Sequence, residues 1–95
     1  MKYKLPINYT RLTRAQRKEV REQYILQQRH QCYWCHEDLR NPAPDVITAQ
    51  KINLKLFPPG FLNNPIHLQH NHENGQTEGA VHAYCNAVMW EHHGR

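Results

Sequence analysis

Two short pairs of metal-binding residue types stand far apart in the chain. Cys32 and Cys35 form the first pair, with the spacing C-x-x-C, and His82 and Cys85 form the second, with the spacing H-x-x-C. Zinc in structural sites binds four ligands tetrahedrally, commonly thiolates with one or two imidazoles. Two ligands at this spacing fit on one tight turn and can face one ion. The sequence therefore predicts a structural Zn²⁺ site that uses every cysteine of the chain.

Other interpretations of the same residues stay open. His30 or His36, near the first pair, could replace His82 as the nitrogen donor. A redox motif built from the first pair, with Cys85 buried, is disfavoured because no βαβ pattern surrounds it. Three cysteines cannot all pair within one chain, and the N-terminal segment lacks the apolar region of a signal peptide. We therefore expect a reducing, cytoplasmic setting in which the thiolates bind metal.

A histidine-rich segment lies shortly before the second pair and contains His67, His70 and His72. Hydrolysis of a phosphodiester bond requires a base that deprotonates water, and positive charge near the phosphate and the leaving oxygen. An imidazole, with an ordinary pKa of about 6.5, suits the role of base near neutral pH. His70 falls at the end of an alternating, strand-like pattern. It is the predicted general base of a nuclease.

Four short motifs carry a resemblance to a known family. The segments Gln69-His-Asn-His72, Asn74-Gly75, Gly79-Ala-Val81 and Cys85-Asn86 resemble the HNH (His-Me finger, ββα-metal) endonucleases. Within that family they look closest to the endonuclease VII-like, zinc-stabilised group and to small phage-encoded HNH proteins. The resemblance covers roughly residues 32–94. It implies a ββα-metal fold, one catalytic Mg²⁺ or Mn²⁺ ion, and hydrolysis of DNA phosphodiester bonds.

The resemblance also implies roles for two metal-binding positions. An Asn after the last zinc cysteine helps to hold the catalytic ion in this family, and Asn86 takes that role here. The position before the base is usually a metal-binding Asp or His, whereas this chain has Gln69. An amide oxygen is a poorer donor to a hard divalent ion than a carboxylate. Gln69 could still bind through its carbonyl, His67 or His72 could replace it, or the chain could be an inactive variant.

Two further histidines have possible accessory roles. His72 is expected to stabilise the hairpin or support the site from outside the metal's ligand set, with direct metal binding as the alternative. His93 lies late in the last predicted helix, where other HNH branches complete their metal site. It is a reserve ligand or, alternatively, a solvated residue that interacts with the helix dipole.

The N-terminal third predicts a basic helix. Thr13 and Gln16 fit a capping box, which places a helix over about Thr13–Gln28 after an extended arm over residues 1–10. Leu12, Val20, Tyr24 and Ile25 should face the body of the protein. The net charge is +4, and 8 of the 12 basic residues lie in the first 29 positions. Such a distribution favours a polyanionic partner, here DNA. The expected contacts are basic residues at helical spacing on one face: Arg14, Arg17, Lys18 and Arg21.

The last third predicts a hairpin followed by a helix. Residues 65–70 alternate like a strand, Asn74-Gly75 marks a tight turn, and residues 79–81 could begin the return strand. Residues 83–93 have the composition of a closing helix, with Gly94 as its C-cap. The expected core residues here are Val88, Met89 and Trp90, with Trp34 near the first cysteine pair. The segment Phe57-Pro-Pro-Gly-Phe61 should be a loop that covers the core, with a DNA-facing wedge as the alternative.

Together these patterns predict a small α+β protein. A basic arm and helix over residues 1–30 should join a zinc-stabilised ββα-metal core over residues 31–95 in one compact domain. The leading hypothesis is a DNA endonuclease, weakened by Gln69, and a phage origin would suggest a partner such as a terminase in the host cytoplasm. A homodimer would explain cleavage of both strands. The alternative is a non-catalytic zinc module that binds nucleic acid.

Overall fold

A computed structural model describes residues 2–94 of the chain. Its helices are α1 (Arg14–Gln27), α2 (Asp45–Thr48) and α3 (Ala83–His93), and its strands are β1 (Ile66–His70) and β2 (Thr77–His82). The two strands form an antiparallel sheet that leads directly into α3. The α+β class expected from the sequence is confirmed. Within residues 2–94, no helix is both long and apolar enough to cross a lipid bilayer.

Helix α1 begins at the capping box that the sequence predicts. The Thr13 hydroxyl accepts a hydrogen bond from the Gln16 backbone N–H at 3.1 Å, and the Gln16 side chain accepts one from Thr13 N–H at 2.8 Å. These two bonds satisfy donors that a helix N-terminus otherwise leaves unpaired. Val20 and Tyr24 are buried where α1 lies against both strands, and Leu12 is buried just before the helix. The predicted inner face of α1 is therefore confirmed.

The hairpin contains a bulge beside the predicted general base. Gln69 lies opposite Gly79, but His70 lies opposite Thr77, so Glu78 is an extra residue on β2. A bulge of this kind changes the direction in which neighbouring side chains point. Strand β2 begins at Thr77, two residues before the predicted start of the return strand. The sequence predicts the turn, but the hydrophobic pattern contains nothing that indicates the bulge.

The N-terminal arm packs along the turn end of the hairpin. Tyr9 N–H donates to the Gly75 carbonyl at 2.8 Å, and Thr77 N–H donates to the Ile7 carbonyl at 2.9 Å. Farther back, the Gln23 side chain bonds both the backbone N–H and the carbonyl of Tyr3, at 3.0 and 2.7 Å. The arm is therefore held between α1 and the hairpin, and it delivers Tyr9 to the end of β1.

Helix α3 fills the centre of the protein. Val88 and Met89 are fully buried, and Gly94 ends the helix in the left-handed conformation at φ 67° with its N–H bonded to the Met89 carbonyl. The prediction that Trp90 belongs to the core was wrong, because its side chain is 44% exposed. Trp90 packs instead against Phe57 of the neighbouring loop, with ring centroids 5.3 Å apart. Trp34 is half-buried and packs against the core.

Between the first cysteine pair and β1, the chain forms short turns. Residues 46–48 and 52–56, which could be strands or helical turns from sequence, adopt helix α2 and a 3₁₀ turn at Leu54–Leu56. Three contacts fasten this segment to α3. Tyr84 donates its hydroxyl to the Gln50 carbonyl at 3.0 Å, Glu91 accepts from Asn53 N–H at 2.7 Å, and His92 Nε2 lies 2.7 Å from the Lys51 carbonyl. The loop that follows is thereby placed beside the hairpin.

Candidate functional site

The four predicted zinc ligands converge at one point. The Sγ atoms of Cys32, Cys35 and Cys85 and a ring nitrogen of His82 all lie within 4.8 Å of one another. Nδ1 of His82 is 3.4 Å from Cys35 Sγ and 3.7 Å from Cys85 Sγ. A tetrahedral zinc ion with ordinary bond lengths would separate sulfur and nitrogen ligands by about 3.5 Å. The cluster could therefore hold a metal ion such as zinc, and it contains neither His30 nor His36.

The orientation of His82 is set by backbone carbonyls. Nε2 lies 3.0 Å from the carbonyl oxygens of both Asp38 and Asn41. A proton on Nε2 is donated to these oxygens, which leaves the Nδ1 lone pair facing the thiols. Metal-binding histidines commonly use their second nitrogen in this way. His82 is buried, so these bonds also satisfy a group that solvent does not reach.

The thiols are electrostatically coupled. A hydrogen bond from Cys85 lowers the pKa of Cys32 to about 4, against the opposing effect of burial. The same pairing, followed by burial, raises the pKa of Cys85. Trp34 N–H lies 3.4 Å from Cys32 Sγ and also favours the thiolate. Cys32 therefore favours the thiolate and Cys85 keeps its proton, and a bound cation would displace the thiol protons, because metal binding requires deprotonated thiols.

The first cysteine pair stands on a tight turn that is fastened to the sheet. Cys32 N–H donates to the Glu37 carbonyl at 2.8 Å, and His36, at φ 66°, donates its N–H to the Cys32 carbonyl at 2.9 Å. Tyr33 N–H reaches the carbonyl of Ala80 in β2 at 2.9 Å. The Gln28 side chain bonds both backbone groups of Ala80, at 2.8 and 2.9 Å. The cysteine–histidine cluster therefore joins this turn to the end of β2 and the start of α3.

A second site is formed by an open cavity of about 550 Å³ between α1, β1, α3 and the loop over residues 56–61. Five of the residues with predicted roles in the catalytic centre border it. They are the base His70, the metal-binding positions Gln69 and Asn86, and the alternatives His67 and His72. Residues separated by up to nineteen positions are thus brought to one concave surface. The cavity volume lies within the range of about 300–1,000 Å³ that is typical of ligand sites.

His70 is held between aromatic and basic neighbours. Its ring stacks on that of Tyr9, with centroids 3.9 Å apart, and lies 4.6 Å from that of His72. Burial is the first cause that lowers the pKa of His70, followed by the positive charges of His72 and Arg17. These effects favour the neutral imidazole, which is the form that can accept a proton.

Asn86 contacts His67 rather than Gln69. The Asn86 side-chain N–H donates to Nδ1 of His67 at 3.0 Å. Burial lowers the pKa of His67 and keeps its ring neutral. The edge of Phe61 also packs against the His67 ring, at 4.6 Å between centroids. Among the replacements for Gln69 that the sequence leaves open, His67 is therefore the one that lies in contact with Asn86.

Gln69 is buried and engaged elsewhere. Its side-chain N–H donates to the Glu78 carboxylate at 3.3 Å and to the His70 carbonyl at 3.1 Å. Over residues 2–94, the cysteine–histidine cluster is the one convergent set of three or more His, Cys, Asp or Glu ligands. The donors that Asn86, His67 and Gln69 offer a second ion are neutral. A hard cation such as Mg²⁺ binds weakly to such donors. The contact of Glu78 with Gln69 could not be predicted from the sequence, because it lies at the bulge.

The basic face of α1 divides into two pairs. Arg17 and Arg21 are half-buried and border the cavity, whereas Arg14 and Lys18 are exposed. The Arg17 guanidinium lies over the Tyr9 ring at 4.1 Å. Among the residues that the structure describes, Arg17 Nε is the one buried side-chain nitrogen or oxygen without a hydrogen-bond partner. Helical spacing indicated a shared face but gave no sign that half of it turns inward.

His93, the reserve ligand, lies outside this arrangement. Its ring packs beside Trp34, with centroids 5.2 Å apart, and it is not among the residues that border the cavity. The loop over residues 57–61 does border it, through Phe57, Pro58, Gly60 and Phe61. The sequence alternatives for this loop were a cover for the core and a DNA-facing wedge. The loop therefore forms part of the cavity wall.

Comparison of this chain with models of known protein families, with curated proteins and with solved structures finds no match.

Proposed function

We propose that this chain is a metal-dependent endonuclease of the HNH type that hydrolyses DNA phosphodiester bonds, with His70 as the general base. One observation carries the proposal: His70, Asn86 and the α1 residues Arg17 and Arg21 border a single cavity. Base, candidate metal ligand and phosphate-binding cations are the components that this hydrolysis requires. They come from the basic helix α1, the hairpin and the closing helix, so elements that are remote in the chain contribute to one site.

His70 would accept the proton of the attacking water. Its lowered pKa keeps it neutral at pH 7, and its stack against Tyr9 limits rotation of the ring. A positioned base of this kind typically accelerates a reaction by about 10²–10⁴-fold. The nearby Glu78 carboxylate acts in the opposite direction and raises the pKa of His70 slightly, which strengthens it as a base.

Arg17 and Arg21 would bind the phosphate. Arg17 Nε is buried without a hydrogen-bond partner, and a buried donor of this kind lowers stability until it finds an acceptor. A phosphate oxygen is the strongest acceptor that the proposed substrate offers, and a guanidinium binds phosphate in a two-pronged geometry. The unpaired donor is therefore consistent with a site built for an anion.

Two metals belong to the proposal. Zn²⁺ at the cluster of Cys32, Cys35, His82 and Cys85 would fix the hairpin against α3, and so fix His70 relative to Asn86. Asn86, with His67 or Gln69, would hold Mg²⁺ or Mn²⁺. When bound, this second ion supplies positive charge to the phosphate and the leaving oxygen. Because its donors are neutral, we expect weak binding and a low rate at ordinary metal concentrations.

A second function is favoured by one observation. The Gln69 amide nitrogen donates to Glu78 and to the His70 carbonyl, so internal hydrogen bonds hold this side chain in place, and it offers a metal only a neutral amide oxygen. A non-catalytic zinc module that binds nucleic acid would have the same cluster and basic helix without the second metal. Nicking activity separates the two functions.

The deciding experiment is nicking of supercoiled plasmid in Mg²⁺ and in Mn²⁺ by the parent protein and by His70→Ala. The matched control is His93→Ala, which removes a histidine that does not border the cavity. We expect His70→Ala to lower the rate by about 10²-fold or more, with unchanged zinc content, and the control to keep the parent rate. If the parent does not nick but still binds DNA, the binding module is correct.

A further inference from the structure

One wall of the cavity is aromatic and open to solvent. Phe57 packs against Phe61 with ring centroids 4.7 Å apart and against Trp90 at 5.3 Å. These three residues are called the aromatic wall below. Trp90 is 44% exposed, and the neighbouring Leu56, which also borders the cavity, is 50% exposed. The wall therefore presents apolar ring surface to the cavity.

Exposure of this surface is unfavourable for a chain of 95 residues. A domain of this size buries a modest fraction of its surface, and large aromatics supply much of the burial energy that is available. Trp90 directly follows the fully buried Val88 and Met89, yet it lies outside the core. Exposed apolar patches of this kind beside polar groups mark sites of interaction.

The same cavity also has a cationic side. Arg17 and Arg21 border it from α1, and Arg17 Nε is buried without a hydrogen-bond partner. A ligand that fits both sides has a flat apolar face and an anionic group, which describes a nucleotide. A second copy of this chain fits less well, because it would bring the same net charge of +4 to a basic surface.

We propose that the aromatic wall stacks against an unpaired base of DNA while the neighbouring phosphate lies at Arg17 and Arg21. This inference rests on the proposed function and specifies its substrate: single-stranded or locally unpaired DNA. Bases inside a duplex expose only their edges in the grooves, because both faces are covered by adjacent base pairs. An exposed indole can stack on a base only where that face has been freed.

The test measures binding separately from cleavage. His70→Ala protein, which retains the aromatic wall, is titrated into a fluorescent single strand of about 12 nucleotides, its duplex, and the duplex with one unpaired base. The same titrations are made with Trp90→Ala and Trp90→Phe added to this background. Leu26→Ala is the matched control, because Leu26 is an exposed apolar residue that does not border the cavity.

We expect the single strand and the unpaired site to bind more tightly than the duplex. Trp90→Ala should weaken their binding about tenfold and duplex binding much less, while Trp90→Phe and Leu26→Ala stay near the background. Equal affinity for all three DNAs, or unchanged affinity in Trp90→Ala, would overturn the inference. A change from dimer to monomer in Trp90→Ala, without loss of DNA affinity, would assign the wall to a second copy instead.

The outcomes also separate this inference from the proposed nuclease. If binding depends on Trp90 but the parent protein does not nick DNA, the stacking inference is supported and the nuclease proposal is rejected. If nicking depends on His70 but the protein shows no preference for unpaired DNA, the nuclease proposal is supported and the stacking inference is rejected. Circular dichroism and zinc content of each variant establish that the fold is retained.

Discussion

The ring of Tyr9 lies flat against the ring of His70, with centroids 3.9 Å apart and planes inclined by 9°. The guanidinium of Arg17 lies over the same Tyr9 ring at 4.1 Å. Tyr9 is itself fixed by its backbone bond to Gly75 in the hairpin turn. The arm, α1 and the hairpin therefore jointly set the position of the proposed base.

Removal of this stack should impair catalysis without abolishing DNA binding. Tyr9→Ala frees the His70 ring, and misplacement of a catalytic group by about 1 Å can lower a rate roughly a hundredfold. We expect kcat for nicking to fall ten- to hundredfold while KM changes little. Tyr9→Phe keeps the ring and should retain most of the rate. Equal rates for Tyr9→Ala and the parent, at matched stability, would show that the stack does not position His70.

The metal cluster should be essential for folding. Zinc binds structural sites in small peptides with about 10–16 kcal/mol, which matches or exceeds the whole stability of a small domain, about 5–15 kcal/mol. His82→Ala should therefore lose zinc and unfold. His36→Asn, which changes a histidine beside the cluster to a residue that tolerates its positive φ, should keep zinc and fold. Zinc content and thermal melting measure both. A folded, zinc-loaded His82→Ala would assign the nitrogen ligand elsewhere.

The two halves of the basic helix face should behave differently. Arg14 and Lys18 are exposed, so the double change Arg14→Gln with Lys18→Gln should reduce the salt slope of DNA binding by about two and leave kcat near the parent value. Arg17 borders the cavity, and Arg17→Gln should lower kcat strongly. Nicking at saturating DNA and affinity across salt concentrations separate the effects. Equal losses of kcat in both variants would contradict the division.

Most elements of the fold could be predicted from short-range sequence patterns. The capping box of Thr13, the turn at Asn74-Gly75 and the C-cap at Gly94 each act within a few residues, so they can be recognised in the sequence. Paired cysteine spacing likewise predicted a cluster whose halves are remote in the chain. Two features could not be predicted because they depend on tertiary contacts. They are the bulge at Glu78 and the exposure of Trp90.

The same limit applies to the cavity. The polar residues of the cavity could be proposed from their residue types in the sequence. The contact of Asn86 with His67 could not, because it arises only where α3 packs against β1. The stack of Tyr9 on His70 similarly depends on where the arm packs. Neither relationship has a fixed spacing, so no local pattern indicates it.

The pH dependence of nicking should follow His70. Burial and the charges of His72 and Arg17 lower its pKa below the ordinary value of about 6.5. The base acts in its neutral form, so kcat/KM should rise as pH rises through this lowered pKa and reach half its maximum below pH 6.5. His72→Gln removes one positive neighbour and should move the midpoint upward, toward 6.5. His93→Gln is the control and should leave the midpoint unchanged. An unchanged midpoint in His72→Gln as well would show that the pH dependence of the rate does not report the pKa of His70.

A carboxylate at position 69 should lower the stability of the protein without divalent ions and raise its affinity for them. In Gln69→Asp, the new charge replaces the amide that donates to Glu78, so two carboxylates face each other in a buried region. We expect a loss of about 1–3 kcal/mol of stability without divalent ions, measured by thermal melting in the zinc-loaded protein. Mn²⁺ should restore it, since an ion at 100 times its Kd adds about 2.7 kcal/mol.

The neutral control for this change is Gln69→Asn, which shortens the side chain without adding charge. It should show no stabilisation by Mn²⁺ and no gain in nicking. Gln69→Asp should nick faster than the parent in Mg²⁺, because a carboxylate binds a hard cation better than an amide. If Mn²⁺ leaves the melting temperature of Gln69→Asp unchanged, position 69 does not hold the divalent ion, and only Asn86 with His67 remains of the proposed metal site.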